Sequence, residues 1–198
     1  MATTPETHAL AHHLRRRELE KGDVMIYVII LLSVLTRFLP HTWNFSPVYG
    51  ALLFGGAHLK KRESVWFPVA LLALSDFLLT TFVYRLHIGW LELVQVAAFA
   101  SIALIGWVLR RGLTAGRFTF ACFAGPTAFY LISNFGVWLE WHTYAPTWAG
   151  LMQCYVAGIP FYGYSLLSTY IFSGVLFGTY ELCHRYQQSR RGEAHLNK

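Results

Sequence analysis

Long apolar runs separated by short basic connections constrain this chain more than any other feature. The runs occupy residues 24–39, 43–59, 65–84, 90–109, 118–139 and 166–182, each 16 to 22 residues long. A helix of about 20 residues crosses the hydrocarbon core of a bilayer, whereas a spanning strand needs only about 10. Helices rather than a barrel are therefore expected, with their backbone polar groups satisfied inside each segment. The charged fraction of 13% points the same way, because soluble domains carry about 25%. The expected fold is all-α: a polytopic membrane protein with six transmembrane helices in one bundle.

The basic residues orient the bundle. Arg15, Arg16, Arg17 and Lys21 precede the first run; Lys60, Lys61 and Arg62 follow the second; Arg110, Arg111 and Arg117 follow the fourth; Arg185, Arg190, Arg191 and Lys198 follow the sixth. With six spans all of these fall on one side, leaving only Arg37 and Arg85 on the other. The positive-inside rule then places both termini in the cytoplasm. Residues 1–22 read as a basic cytoplasmic tail, 23–183 as the transmembrane domain and 184–198 as a second basic tail. The stretch "HALAHHLRRRELEKGD" reads as solvated, with an inner-leaflet amphipathic helix as the alternative. Because the positive charge is confined to one face of a membrane protein, no nucleic-acid partner is expected. Between the fifth and sixth runs, Gly158 and Pro160 interrupt "PTWAGLMQCYVAGIPFYGY". Residues 145–164 are accordingly expected to form a segment lying on, or dipping into, the outer face.

Topology gives each polar residue a depth, since a helix rises 1.5 Å per residue. Asp76 is eight residues from the outer end of its run, about 12 Å below that boundary. Arg37 ends the first run, Glu92 and Gln95 begin the fourth, and Asn134 is five residues from the outer end of the fifth. All five fall in the outer half. Charges at such depth face a bundle interior or a water-filled cavity and need a partner. The outer connections also supply Trp43, Tyr49, Trp90, Trp141, Tyr144, Trp148 and others, while "HLKKRES" and "RRGLTAGR" have no aromatic. An interfacial belt accounts for part of this, but belts occupy both faces. The asymmetry suggests an outward-facing pocket with Asp76, Asn134, Glu92, Gln95 and Arg37 as its polar groups and Trp43, Trp138, Trp141 and Tyr144 as walls. The alternative is that the polar groups only join helices.

Signatures of catalysis are absent: no HExxH, GxSxG, P-loop or Rossmann fingerprint occurs. Cys122, Cys154 and Cys183 lack any paired spacing and read as packed thiols. His41, His87 and His142 lie in three different outer loops, so neither a metal nor a cofactor is expected. An intramembrane enzyme using Asp76, Glu92 or His142 is a remote third possibility.

The motifs "RFLPHTWNFSPVYGALLFGGA", "LLALSD", "SNFGVW", "APTWAGLMQCYVAGIPF" and "LFGTYE" together resemble an uncharacterised family of small bacterial integral membrane proteins. That family is similar to the substrate-binding S-components of energy-coupling-factor transporters. The resemblance implies a multi-pass protein of the bacterial plasma membrane that captures a vitamin-like or metal solute from outside. Its implied partners are the lipid bilayer, a small-molecule solute, a membrane coupling subunit and cytoplasmic ATPases. Two departures stand out: the first span lacks an alanine-x-x-x-alanine pattern, and "YGYSLLSTY" replaces a more polar run after "IPF". A structural or assembly protein is the rival reading.

Overall fold

The structure, a computed structural model, describes residues 24–38, 44–83, 85, 89–140 and 142–196; the N-terminal tail lies outside this set. Among the described residues there are helices and no strands. Helix α1 spans Val24–Phe38, α2 Val48–His58 and α3 Glu63–Leu78, the last extended by a π-helical turn at Leu79–Val83. Helix α4 spans Trp90–Gly106 with a 3-10 turn at Trp107–Arg111, α5 Ala115–Glu140 and α6 Trp148–Leu196. Four stretches are long and apolar enough to cross a membrane: Glu63–Val83, Trp90–Arg111, Ala115–Glu140 and Trp148–Tyr186. Only 22 to 33% of each hydrophobic window is buried, so side chains such as Phe77, Leu93, Phe123, Leu131 and Ile171 point outward. In water that surface would be an association liability, whereas lipid tails solvate it without cost.

The second run does not form a full span. Helix α2 has 11 residues, a rise of about 16 Å, roughly half the hydrocarbon thickness. Pro47 stands at its N-cap and Asn44 adopts φ +57°, so the chain from Asn44 to Pro47 enters as irregular backbone. Asn tolerates that left-handed conformation better than most residues. Irregular backbone at membrane depth is admissible only where protein buries it or a cavity receives it. Ser168 on α6 donates to the Asn44 carbonyl at 3.4 Å, and the Val48 N–H donates to Ser46 Oγ at 3.3 Å.

Helix α2 is nevertheless the hub of the bundle. Every residue from Val48 to Gly56 is buried, and Leu53 and Phe54 are completely so. Its glycines meet three different neighbours: Gly50 lies on the α6 backbone at Phe172 and Ser173, Gly55 on Ile30 of α1, and Gly56 on Gly106 of α4. Small residues at such positions let helix backbones approach closely, which is how apolar helices gain packing where no hydrophobic force separates lipid from protein.

The expected outer-face segment at 145–164 is instead the beginning of α6, which continues unbroken through Gly158 and Pro160 to Leu196. Pro160 removes one intrahelical hydrogen bond, a loss that neighbouring helices can absorb. Three contacts stitch this half of α6 antiparallel to α5. Tyr130 Oη donates to the Tyr155 carbonyl at 2.5 Å, Tyr155 Oη to the Leu131 carbonyl at 2.9 Å, and the Cys154 thiol to the Asn134 carbonyl at 3.3 Å. The sixth run is thus only the second half of its helix. The 39 residues of α6 from Trp148 to Tyr186 rise about 58 Å, far more than the bilayer core is thick.

One end of the bundle is basic. The start of α1 meets the start of α3 where Tyr27 Oη donates to Glu63 at 2.8 Å, and the end of α2 meets α6 where His58 packs 4.4 Å from Tyr180. Lys60, Lys61, Arg62, Arg110, Arg111 and Arg117 sit at the helix ends gathered there. Arg110 donates to the Leu59 carbonyl beyond α2. This end also has an aromatic anchor that its connections do not reveal: Trp107 lies between Lys61 at 5.6 Å and Arg110 at 5.8 Å and donates to Ser64.

Candidate functional site

The irregular entry to α2 opens onto a cavity of about 330 Å³ in the half of the bundle away from the basic end. Asn44, Ser46, Val48 and Tyr49 form its floor. Arg37 enters from α1, Leu79 from the π-helical turn after α3, and Gln95 with Phe99 from α4. Helix α5 contributes Phe129, Tyr130, Ser133 and Asn134; α6 contributes Gly158, Phe161, Tyr162 and Ser165. Three rings join in one part of the wall, with Phe129 centred 4.9 Å from both Tyr49 and Phe99. Across the space, Tyr130 and Tyr162 are 4.8 Å apart, and the Tyr162 hydroxyl bonds Thr127 at 2.8 Å.

Arg37 and Asp76 form an ion pair between α1 and α3, with side chains 20% and 14% exposed. Arg37 Nη1 also donates to Ser75 Oγ at 2.9 Å, and its guanidinium lies 5.4 Å from the centre of the Phe99 ring. The two residues lie close in depth because α1 and α3 run parallel: Tyr27 is level with Glu63, and Arg37 and Asp76 are each several turns further along. Asp76 therefore stands behind Arg37 as its counter-ion, while Arg37 itself reaches the cavity. One carboxylate oxygen, Asp76 Oδ2, is buried without a hydrogen-bond partner among the described residues.

The anticipated site residues thus divide. Arg37, Gln95 and Asn134 line the cavity, and Asp76 supports it through Arg37. Asn134 Nδ2 donates to the Tyr130 carbonyl at 2.8 Å, leaving its oxygen toward Gly158 of α6. Glu92 is absent from the wall: it accepts from the Gly89 N–H at 2.8 Å, closing the first turn of α4. Trp138 donates to the Ala145 carbonyl at 3.0 Å and so fixes the turn between α5 and α6. Tyr144, in that turn, does not line the cavity. Trp43 and Trp141 lie outside the described residues. Of the cavity residues, Tyr49 is one of the outer aromatics noted in the sequence, whereas Phe99, Phe129 and Tyr130 sit inside apolar runs and look there like ordinary core, and Ser165 falls between the fifth and sixth runs. The available signal was proline: Pro47 and Pro126 each stand at the cavity's edge.

Glu140, the acid that ends α5, accepts from the Leu91 N–H in the first turn of α4. Its negative charge sits where the helix dipole is positive, an arrangement worth about 0.3–1 kcal/mol. Glu140→Gln is expected to lower stability by about that amount and to leave the cavity intact, as read by thermal denaturation in detergent. A loss of several kcal/mol would show that Glu140 holds more than the end of α4.

Fold and site together define an all-helical protein with membrane-spanning helices and a polar, ring-walled cavity in one half of its bundle. The chain belongs to DUF6580, a family of unknown function, whose model matches residues 18–191. No curated protein and no solved structure matches it.

Proposed function

We propose that the protein is a solute-binding or transport component of the bacterial plasma membrane, taking a small solute from the outer side. The observation that carries this reading is the cavity, which brings aromatic side chains together with convergent polar groups, an arrangement suited to a small polar molecule. Its irregular floor adds support, since non-helical backbone at this depth has little use except beside such a space. The positive-inside rule assigns the basic end to the cytoplasm, so both termini are cytoplasmic and the cavity faces outward. The likeness of the motifs to S-components suggests a membrane coupling subunit and cytoplasmic ATPases as partners, with α6 and the basic end within their reach.

Native mass spectrometry of the full chain in mild detergent tests the reading. The expected result is a retained small molecule at one per protein, lost when Phe129→Leu removes a wall ring. Finding neither a retained molecule nor a co-purifying ATPase or membrane partner across several growth conditions would favour a purely structural role.

A further inference from the structure

The charge balance and hydrogen-bond deficit of the cavity narrow the class of solute, an inference that rests on the solute-binding reading. Among the described residues Arg37 is the one formally charged residue in the wall, and its charge is already matched by Asp76, with Ser75 taking a second donor. A solute with net charge would therefore bring an unbalanced charge against this wall, which is costly to the extent that the site desolvates it without a new partner.

The other polar groups are hydroxyls and three carboxamides, Asn44, Gln95 and Asn134. Two of the carboxamide oxygens have unfilled acceptor capacity. Gln95 Oε1 is buried and finds no donor among the described residues. Asn134 Nδ2 donates one of its two N–H groups to the Tyr130 carbonyl, and its Oδ1 has only the weakly donating Cys154 thiol at 4.0 Å. The Tyr130 hydroxyl has likewise donated its proton, to the Tyr155 carbonyl. Leaving a buried acceptor unfilled carries a penalty, which a bound N–H would remove. Tyr49, Phe99 and Phe129 give the wall an aromatic part that can pack a flat partner, and about 330 Å³ is near the lower limit for small-molecule sites.

We propose that the cavity binds an uncharged, planar nitrogen heterocycle whose ring N–H or amino group donates to Gln95 Oε1 and Asn134 Oδ1. The test uses the full chain in detergent and calorimetry with four probes at pH 7: adenine and uracil as neutral heterocycles, benzoate as a planar anion and benzamidine as a planar cation. The expected result is that a neutral probe binds at least about tenfold more tightly than either charged one, and that Gln95→Leu removes at least about tenfold of that affinity. Asp76→Asn keeps the shape of the side chain but frees the charge of Arg37, so benzoate binding should rise in that variant. Should Asp76→Asn fail to accumulate, Gln95→Leu decides. Tighter binding of benzoate or benzamidine to the unaltered protein would overturn the proposal, as would no binding of either neutral probe at millimolar concentration, or indifference to Gln95→Leu. A charged molecule retained in native mass spectrometry would overturn this proposal while leaving the solute-binding reading in place.

Discussion

Replacing Arg37 by methionine is expected to cost about 3–5 kcal/mol of stability, because it strands the Asp76 carboxylate in the bundle without its counter-ion. The pairing is specific, since Ser75 and the Phe99 face position the same guanidinium. The double variant Arg37→Met with Asp76→Leu should recover most of that loss, as apolar replacement of a whole buried pair is often neutral or stabilising. Unfolding in detergent measures both. Recovered stability with lost solute retention would separate the two roles of Arg37, one in joining α1 to α3 and one in the cavity. A single-variant cost below about 1 kcal/mol would mean that Asp76 is neutralised by a proton and needs no arginine.

The sequence located the polar half of this bundle but not the contacts within it. Asp76, Arg37, Gln95 and Asn134 were assigned to one half from helical rise and the distribution of basic residues. Their arrangement around a cavity follows from registers between helices, which no spacing within a single run reveals. Arg37 stands out in the sequence as the basic residue available to Asp76 in the outer half, but their depths and faces do not: the two lie 39 positions apart on parallel helices. Aromatic abundance on the outer side pointed partly right, since Tyr49, Phe161 and Tyr162 line the cavity, but Trp138 serves a turn and Glu92 a helix end, while Phe99 and Phe129 sit in runs indistinguishable from core. Gly158 and Pro160 carried the signal of a break in water-soluble proteins. Against α5 they mark instead a place where backbone can approach Asn134. The shortness of α2 was partly visible, in its small residues and in Pro47; its place at the centre of the bundle was not.

Gly106→Ala is expected to cost at least about 1–3 kcal/mol, the usual range for overpacking, and Gly106→Leu to prevent accumulation of folded protein. A Cβ at Gly106 would stand 2.7 Å from the Leu53 carbonyl oxygen and 3.0 Å from Gly56 Cα, both backbone atoms of α2. Helix α2 has little room to retreat, because a Cβ at Gly50 would stand only 3.0 Å from the Ser173 backbone nitrogen of α6 and one at Gly55 only 2.8 Å from Ile30. Gly174→Ala supplies the contrast. Nothing lies within 4 Å of a Cβ there, so the gain in helix propensity, up to about 1 kcal/mol, should make that variant neutral or slightly more stable. Displacement of α2 also moves Val48 and Tyr49, which form the cavity floor about 10 Å further along the same helix. Gly106→Ala should therefore weaken solute retention although it touches no cavity residue. If Gly106→Ala and Gly174→Ala melt alike, α2 is free to shift, and the cavity floor is set by the 44–47 segment rather than by the packing of α2 on α4.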